Sequence, residues 1–222
     1  MIRTFEHVKL EQLNFDLESE TTDGGRFYTT PQGKKYKSIT TILGSEPKQG
    51  IEEWVKRVGE EEANRIKRKA ADRGTKLHKV CEDYINNELT DLKLTKMMPD
   101  LKQNFSTIKK YIDERVGRVY AQEQALYSDR YRMAGRVDLI CEWDGKLSIV
   151  DFKTSSREKR EEWIENYFVQ CTAYALMFAE RTGIWIDDIV VLISTEEGEA
   201  QIFEKQIHTY QKKLMELIDK YA

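Results

Sequence analysis

Asp138, Asp151 and Lys153 are the residues whose types and spacing most directly imply chemistry. They sit in two runs rich in β-branched and apolar residues, Gly135-Arg136-Val137-Asp138-Leu139 and Val150-Asp151-Phe152-Lys153, with Asp144-Gly145 between them. Asp-Gly in that setting is a two-residue hairpin signal. Counting outward from the turn, Trp143 faces Lys146, Cys141 faces Ser148, Leu139 faces Val150 and Asp138 faces Asp151. Directly opposed side chains have Cβ atoms about 4.5–5.5 Å apart, and like charges there are destabilising. Side chains alternate along a strand, so Lys153 emerges on the face of Asp151. Two carboxylates held together beside an ammonium imply a divalent cation, and hard carboxylate oxygens suit Mg²⁺ or Mn²⁺. The plainer alternative is a solvent-exposed pair of strand acids with Lys153 as ion-pair partner. The flanking Val137, Leu139, Val150 and Phe152 argue instead for a buried hairpin.

Two further groups could join this pair. His78 closes Gly74-Thr75-Lys76-Leu77-His78 and shares a helical face with Glu82, next to the apolar stripe Leu77, Cys81, Tyr84 and Ile85. A histidine at the margin of such a stripe is more often a satisfied core residue than a ligand, so metal binding by His78 gains its weight from the hairpin. Residues 65–79 carry Arg65, Lys67, Arg68, Lys69, Arg73, Lys76 and Lys79 against one acid, Asp72. A solvated helix face is the ordinary reading of such a run. Its position just before His78 keeps a phosphate-contacting surface open. Gln170 and Tyr174 share a face of a later helix whose buried side reads as Trp163, Tyr167, Cys171, Tyr174 and Phe178. A glutamine among aromatics either hydrogen-bonds a phosphate or caps a neighbouring carbonyl.

The elements that must position these groups follow from periodicity. Residues 1–25 are polar and acidic with little pattern and read as an N-terminal arm. Arg26–Tyr28, Pro31-Gln32-Gly33 and Lys35–Lys37 read as a small hairpin; Ser38–Leu43 fits a strand or a helix entry. A helical pattern runs from Ile51 to Asn87, with interruptions expected near Gly59 and Gly74. Pro99 precedes another, Asp100 to about Val116. Strands at Val119–Tyr127, Arg132–Glu142 and Lys146–Lys153 precede a helix from Glu161 to Arg181. Strands Ile189–Thr195 and Gln201–Gln206 and a closing helix end the chain. This order predicts a mixed α/β or α+β fold, with residues 26–222 as one domain.

Composition narrows the setting. With 222 residues, 40% of them hydrophobic, the chain can bury a real core. No window approaches the roughly 18 apolar residues of a membrane span, and the N-terminus lacks a signal-peptide core, so a cytoplasmic protein is expected. Cys81, Cys141 and Cys171 are scattered and odd in number and read as reduced core residues. The net charge of -3 excludes a generally basic nucleic-acid binder.

The order of these motifs resembles the RecB-type nucleases of the PD-(D/E)XK superfamily. It comprises Tyr36-Lys37-Ser38-Ile39-Thr40-Thr41-Ile42-Leu43, Arg73-Gly74-Thr75-Lys76-Leu77-His78, Gly135-Arg136-Val137-Asp138, Asp151-Phe152-Lys153, and Gln170 with Tyr174. Within the superfamily it is similar to the mitochondrial genome maintenance exonuclease group and its bacteriophage relatives, over about residues 26–205. The resemblance implies a restriction-endonuclease-like central mixed sheet flanked by helices, and metal-dependent hydrolysis of DNA. His78, Asp138, Asp151 and the Phe152 carbonyl would be the metal ligands, and Lys153 would position or activate the attacking water. Gln170 and Tyr174 would orient the DNA strand and the site, with Arg73 and Lys76 on the DNA-binding surface. Glu123, on the strand before the hairpin, is a further candidate for the acidic site. Three scattered cysteines cannot supply the four ligands of the iron–sulfur cluster found in some RecB-type nucleases. The implied activity is an exonuclease acting on single-stranded or frayed ends, with a helical arch from within 44–117. A structure-selective endonuclease and a catalytically silent DNA end-binding module remain alternatives. Compact size and the lack of appended domains suit a phage protein acting in host cytoplasm.

Overall fold

Asp144 and Gly145 take φ of 49° and 78°, the left-handed pair that a tight two-residue hairpin requires. The hairpin they close joins β5 (Met133–Trp143) to β6 (Lys146–Ser155), with Trp143 opposite Lys146, Cys141 opposite Ser148 and Leu139 opposite Val150. The computed structural model describes residues 3–47 and 50–222. Around the hairpin an eight-stranded mixed sheet is built from β1 (Glu18–Thr22), β2 (Gly25–Thr29), β3 (Lys35–Ser38), β4 (Val116–Ser128), β7 (Asp188–Thr195) and β8 (Gln201–Gln206). The helices are α1 (Ile39–Gly44), α2 (Ile51–Val58), α3 (Glu60–Ile85), α4 (Asp91–Lys96), α5 (Pro99–Arg115), α6 (Glu165–Thr182) and α7 (Gln211–Tyr221).

The sheet forks at β5. One edge of β5 pairs with β4 along its whole length, from Trp143 to Met133. The other edge is shared: β6 takes Leu139–Trp143, and β3 runs parallel to Met133 and Ala134. Gly135 to Asp138 therefore lack a strand partner on that edge. β6 leaves β5 there and continues parallel to β7, with α6 as the crossover helix that a parallel pair needs. Carboxylates opposed on neighbouring strands repel, so the divergence begins where Asp138 would meet Asp151.

Apolar layers cover both faces. One packs α1, α6 and α7 on the sheet through Ile39, Ile42, Phe168, Met177, Phe178 and Leu214. The other packs α3 and α5 through Leu77, Tyr84, Phe105, Ile108 and Ile112. This is the mixed sheet flanked by helices that the sequence implies.

Several details differ from the sequence reading. The N-terminal segment, read as a polar arm, is anchored by buried Phe5, Leu13 and Leu17, contains β1, and bonds to Val119 at the irregular start of β4. Three apolar residues spaced far apart leave no periodic signal, which is why pattern reading missed the anchor. Ser38–Leu43 resolves as a helix entry: the Ser38 hydroxyl accepts the Thr41 N–H at 3.1 Å, an N-cap. The helical pattern breaks at Gly59 but runs through Gly74, where a side chain would come near Thr154. Trp163, expected on the buried side of α6, is 62% exposed, because a short 3-10 turn (Glu161–Trp163) precedes the helix. The three cysteines are buried free thiols. Among the described residues no helix is long and apolar enough to cross a membrane.

Candidate active site

The fork changes what the backbone of Phe152 can do. Past Leu139 and Val150 the hairpin ladder stops, and the Phe152 N–H donates to Asp138 Oδ2 at 2.8 Å. The Phe152 carbonyl accepts from His78 Nε2 at 2.7 Å. A buried peptide group released by its neighbouring strand must be satisfied by side chains; here those side chains are the candidate ligands. His78 reaches the fork from α3, and its other nitrogen, Nδ1, lies 3.4 Å from Asp138 Oδ1 and 4.0 Å from Glu123 Oε1.

The opposite side of the fork is organised by α6. Gln170 Nε2 donates to Asp151 Oδ1 at 3.3 Å and to the Tyr174 hydroxyl at 3.0 Å. Gln170 and Tyr174 are both buried, so the contact they make is with the site rather than with an open surface. Tyr174 lies over the unpartnered stretch of β5, and a Cβ at Gly135 would fall 2.8 Å from its Cε1. Lys153 forms an ion pair with Asp151 Oδ2, and its ammonium sits 5.1 Å from the Tyr167 ring centroid. That cation–π contact was not foreseen, although Tyr167 lies on the helix face next to Gln170.

Burial and charge set the protonation states. Burial works against ionised Asp138, but the charge and hydrogen bond of His78 prevail and hold it below the usual carboxylate range. Burial likewise opposes charge on His78, yet Asp138 wins and raises the imidazole to about 9. Asp151 is pushed up to about 6, mainly by burial, with Lys153 opposing and Asp138 reinforcing. Burial is also the main cause that raises Glu123 to about 7, with Asp138 adding to it. Lys153 is held in its charged form by Asp151 and Asp138 against burial. At neutral pH a protonated His78 and the Lys153 ammonium thus face ionised Asp138 and Asp151, with Glu123 close to its midpoint.

The donor set fits a hard divalent cation. Carboxylate oxygens, a backbone carbonyl and one imidazole converge, and the buried Asp151 carboxylate has the Lys153 ammonium on its Oδ2 and the Gln170 amide on its Oδ1. His78, Glu123 and Asp138 offer ligand atoms within 4.8 Å of one another. Arg73 and Lys76 lie elsewhere: Arg73 pairs with Glu196 just past β7, and Lys76 pairs with Asp72 on α3. Neither touches the acidic cluster; both line a cleft of about 430 Å³ between α3 and α5, together with Lys69, Met98 and Asn104.

Comparison with known proteins places the chain that carries this forked sheet. The model of the PD-(D/E)XK nuclease superfamily matches residues 50–217, and the chain belongs to that superfamily. β1 to α1, with the Tyr36–Leu43 motif, lie before the matched residues. No curated protein matches. Among solved structures, a "Putative exonuclease" from Eubacterium rectale is similar at 11% identity and TM-score 0.45, covering 67% of this chain and 64% of that one. The structure of SSO0001 is similar at 17% identity and TM-score 0.33, over 52% of each chain. The chain spans less than two thirds of the length of either solved structure.

Proposed function

We propose that the chain is a Mg²⁺- or Mn²⁺-dependent DNA exonuclease that prefers single-stranded or frayed ends. The observation that carries the reaction is the buried fork in which Asp138, Asp151, Lys153 and His78 converge around the freed peptide of Phe152. His78, Asp138, Asp151 and the Phe152 carbonyl would hold the cation. When bound, it supplies polarisation of a phosphoryl oxygen and a lowered pKa for water. Lys153 is charged, nearly fixed between Asp151 and the Tyr167 ring, and stabilises the negative charge that develops as water adds to phosphorus and the P–O bond breaks. Gln170 keeps the Asp151 carboxylate from rotating, and Tyr174 keeps Gln170 in place.

Preference for ends rests on the motif resemblance and on one structural feature. α2 has no buried residue, and the first half of α3 buries Ala63 alone before Leu77. Gly74 meets β6 at Thr154 and Arg73 meets Glu196, so residues 51–72 extend past the ends of β6 and β7. An arm there, carrying Arg65, Lys67, Arg68 and Lys69, suits a threaded strand better than a broad duplex.

The test uses end-labelled single-stranded DNA, the corresponding duplex and a covalently closed circle, each in EDTA, Mg²⁺ or Mn²⁺, with Lys153→Ala in parallel. Metal-dependent loss of linear DNA with the circle spared and the variant inactive supports the proposal. Cutting of the circle makes the enzyme an endonuclease. DNA binding without turnover in either metal makes it a silent end-binding module.

A further inference from the structure

Asn104 of α5 is 6% exposed, yet its side-chain amide makes no hydrogen bond among the described residues. A buried amide carries two donors and an acceptor and is ordinarily satisfied. Here only the backbone carbonyl of the residue is used. It accepts from the Ser194 hydroxyl of β7 at 3.0 Å and from the Thr107 hydroxyl at 2.8 Å. Those bonds pin this turn of α5 to the sheet, beside buried Phe105 and Ile108. The amide is thus held on a rigid element without a partner, and Asn104 lines the cleft of about 430 Å³ between α3 and α5.

The lining decides what kind of ligand fits. Lys69, Arg73 and Lys76 are matched by Asp72, Asp100 and Glu196, and two of these pairs, Arg73–Glu196 and Lys76–Asp72, are in contact. A cleft without net charge has no field to collect phosphates. What remains is an apolar wall, Met98 and Leu101, next to the amide. Met98 is 66% exposed, so the core does not consume its thioether, and an unbranched methionine adapts to a flat ligand. An apolar wall, a buried amide and balanced charge suit a neutral planar heterocycle better than an anion.

The cleft also lies beside the path into the fork. Ser194, bonded to Asn104, stands opposite Thr154, the neighbour of Lys153. His78 and the α3 wall, from Lys69 to Lys76, share one helix, so the cleft begins about 3 Å and ends about 14 Å of helix rise from the histidine. At about 3.4 Å per nucleotide along a strand, that span is about one to four nucleotides from the acids.

We infer that this cleft is a nucleobase site, in which a base of the nucleic acid packs on Met98 and Leu101 and presents its edge to the Asn104 amide. The inference rests on the nuclease reading above and deepens it, because it makes the enzyme sensitive to base identity a few nucleotides from the bond it cuts. A side-chain amide pairs in bidentate fashion with adenine, accepting from N6 and donating to N7, so adenine is the expected occupant.

The test is fluorescence anisotropy of the whole chain in EDTA with labelled oligo-dA, oligo-dC and oligo-dT, alongside cleavage of the same strands in Mg²⁺. Wild type should bind oligo-dA at least about fivefold more tightly than the other two, the lower end of what a bidentate contact discriminates. Asn104→Leu, of similar volume, should bring the ratio close to one. It should melt no earlier than wild type, because no hydrogen bond of the amide is lost. Met98→Ser, at an exposed position, should weaken all three strands alike by about fourfold or more, the worth of one buried methylene. Competition by dAMP but not by the sugar phosphate alone supports a site that also takes the free nucleotide; oligo-dA preference with dAMP inert supports a site for a base within a strand. Equal or absent binding of the three strands by wild type, or an unchanged ratio in Asn104→Leu, would overturn the inference. Early melting of Asn104→Leu would overturn it too, by giving the amide a structural role. The nuclease reading is scored separately. Cleavage without base preference in binding removes the base site alone, and adenine-dependent binding without cleavage removes the nuclease reading and leaves the base site standing.

Discussion

Gly135 is the point where packing and chemistry can be separated by a single methyl group. A Cβ at this position would lie 2.8 Å from Tyr174 Cε1 and 3.1 Å from Ile39 Cγ2. Ile39 and Tyr174 are both buried, and the nearer of the two, the ring of Tyr174, must shift most. Forcing an extra methyl into a packed core costs about 1–3 kcal/mol. For a chain of this size that lowers the melting temperature by about 2–12 °C. The displacement also reaches the site, because the Tyr174 hydroxyl holds Gln170 and Gln170 holds Asp151. Misplacing a catalytic group by a fraction of an ångström to an ångström costs about 10–100-fold in rate, so Gly135→Ala should lower kcat while KM changes little. Thermal melts and single-turnover cleavage read the two effects. The clash belongs to one pair, so Tyr174→Leu should relieve most of it: the double variant should be more stable than the sum of the single penalties by about 0.5–3 kcal/mol. A neutral Gly135→Ala, or strict additivity in the cycle, would refute the chain of contacts from Gly135 through Tyr174 to Asp151.

Three other outcomes follow from the same geometry. Lys153→Ala should lower cleavage by about 10²–10³-fold and should destabilise the protein more at pH 8 than at pH 5, since Lys153 stabilises the ionised Asp151 carboxylate and its loss costs most where that carboxylate is ionised in the wild type, above about 6. A smaller melting-temperature loss at pH 8 would contradict the pairing. Gln170→Leu should cost about 1–3 kcal/mol by stranding the Tyr174 hydroxyl and one oxygen of Asp151, and should reduce kcat more than KM; an unchanged kcat would assign Gln170 a purely structural place. In EDTA, the stabilising effect of His78, raised from 6.5 to about 9, is complete below pH 6.5 and disappears as pH rises through about 9. Glu123 and Asp151 are raised as well, so the fold favours their protonated forms, and stability falls as pH climbs from their ordinary values to about 7 and about 6. Mg²⁺ or Mn²⁺ replaces those protons, so its stabilisation should grow between pH 6 and pH 9. Differential scanning fluorimetry across that range checks this, and a metal-induced shift that shrinks with pH would exclude these residues as the ligands.

Much of this site could be read from the chain because one turn fixed its register. Asp144-Gly145 demands a tight hairpin, and counting from it gives the register as far as Leu139 against Val150, which leaves Asp138 and Asp151 at the mouth of the fork with Lys153 pairing to Asp151. Gln170 and Tyr174 were legible as partners on one helix face, but not as supports for Asp151, because that depends on how α6 packs across β6. Glu123 left a weaker signal. Its placement needs the β4–β5 register, and the connection of Asp129 to Arg132 is too long to fix that register by turn type. The acid lies in an otherwise uncharged run from Val119 to Tyr127, which was the one available clue. The arm of residues 1–25 was misjudged for a different reason, since Phe5, Leu13 and Leu17 are buried by contact with β4 and its neighbours rather than by any local periodicity.

The fork also explains why these acids are tolerated at all. A continuous β5–β6 ladder beyond Leu139 would have locked Asp138 against Asp151 and consumed the Phe152 peptide in a strand pair. Divergence instead leaves an N–H that stabilises the Asp138 carboxylate and a carbonyl that orients His78. Each unpaired backbone group is thus matched to a side chain that the proposed reaction needs. Removing Asp138 should consequently do more than delete a ligand: the buried Phe152 N–H would lose its acceptor, at a cost of about 1–3 kcal/mol. Asp138→Asn can restore that acceptor through its amide oxygen, whereas Asp138→Ala cannot. Both variants should be inactive, but only the alanine should melt earlier in EDTA, and equal melting of the two would mean that the Phe152 peptide finds another partner in the fork.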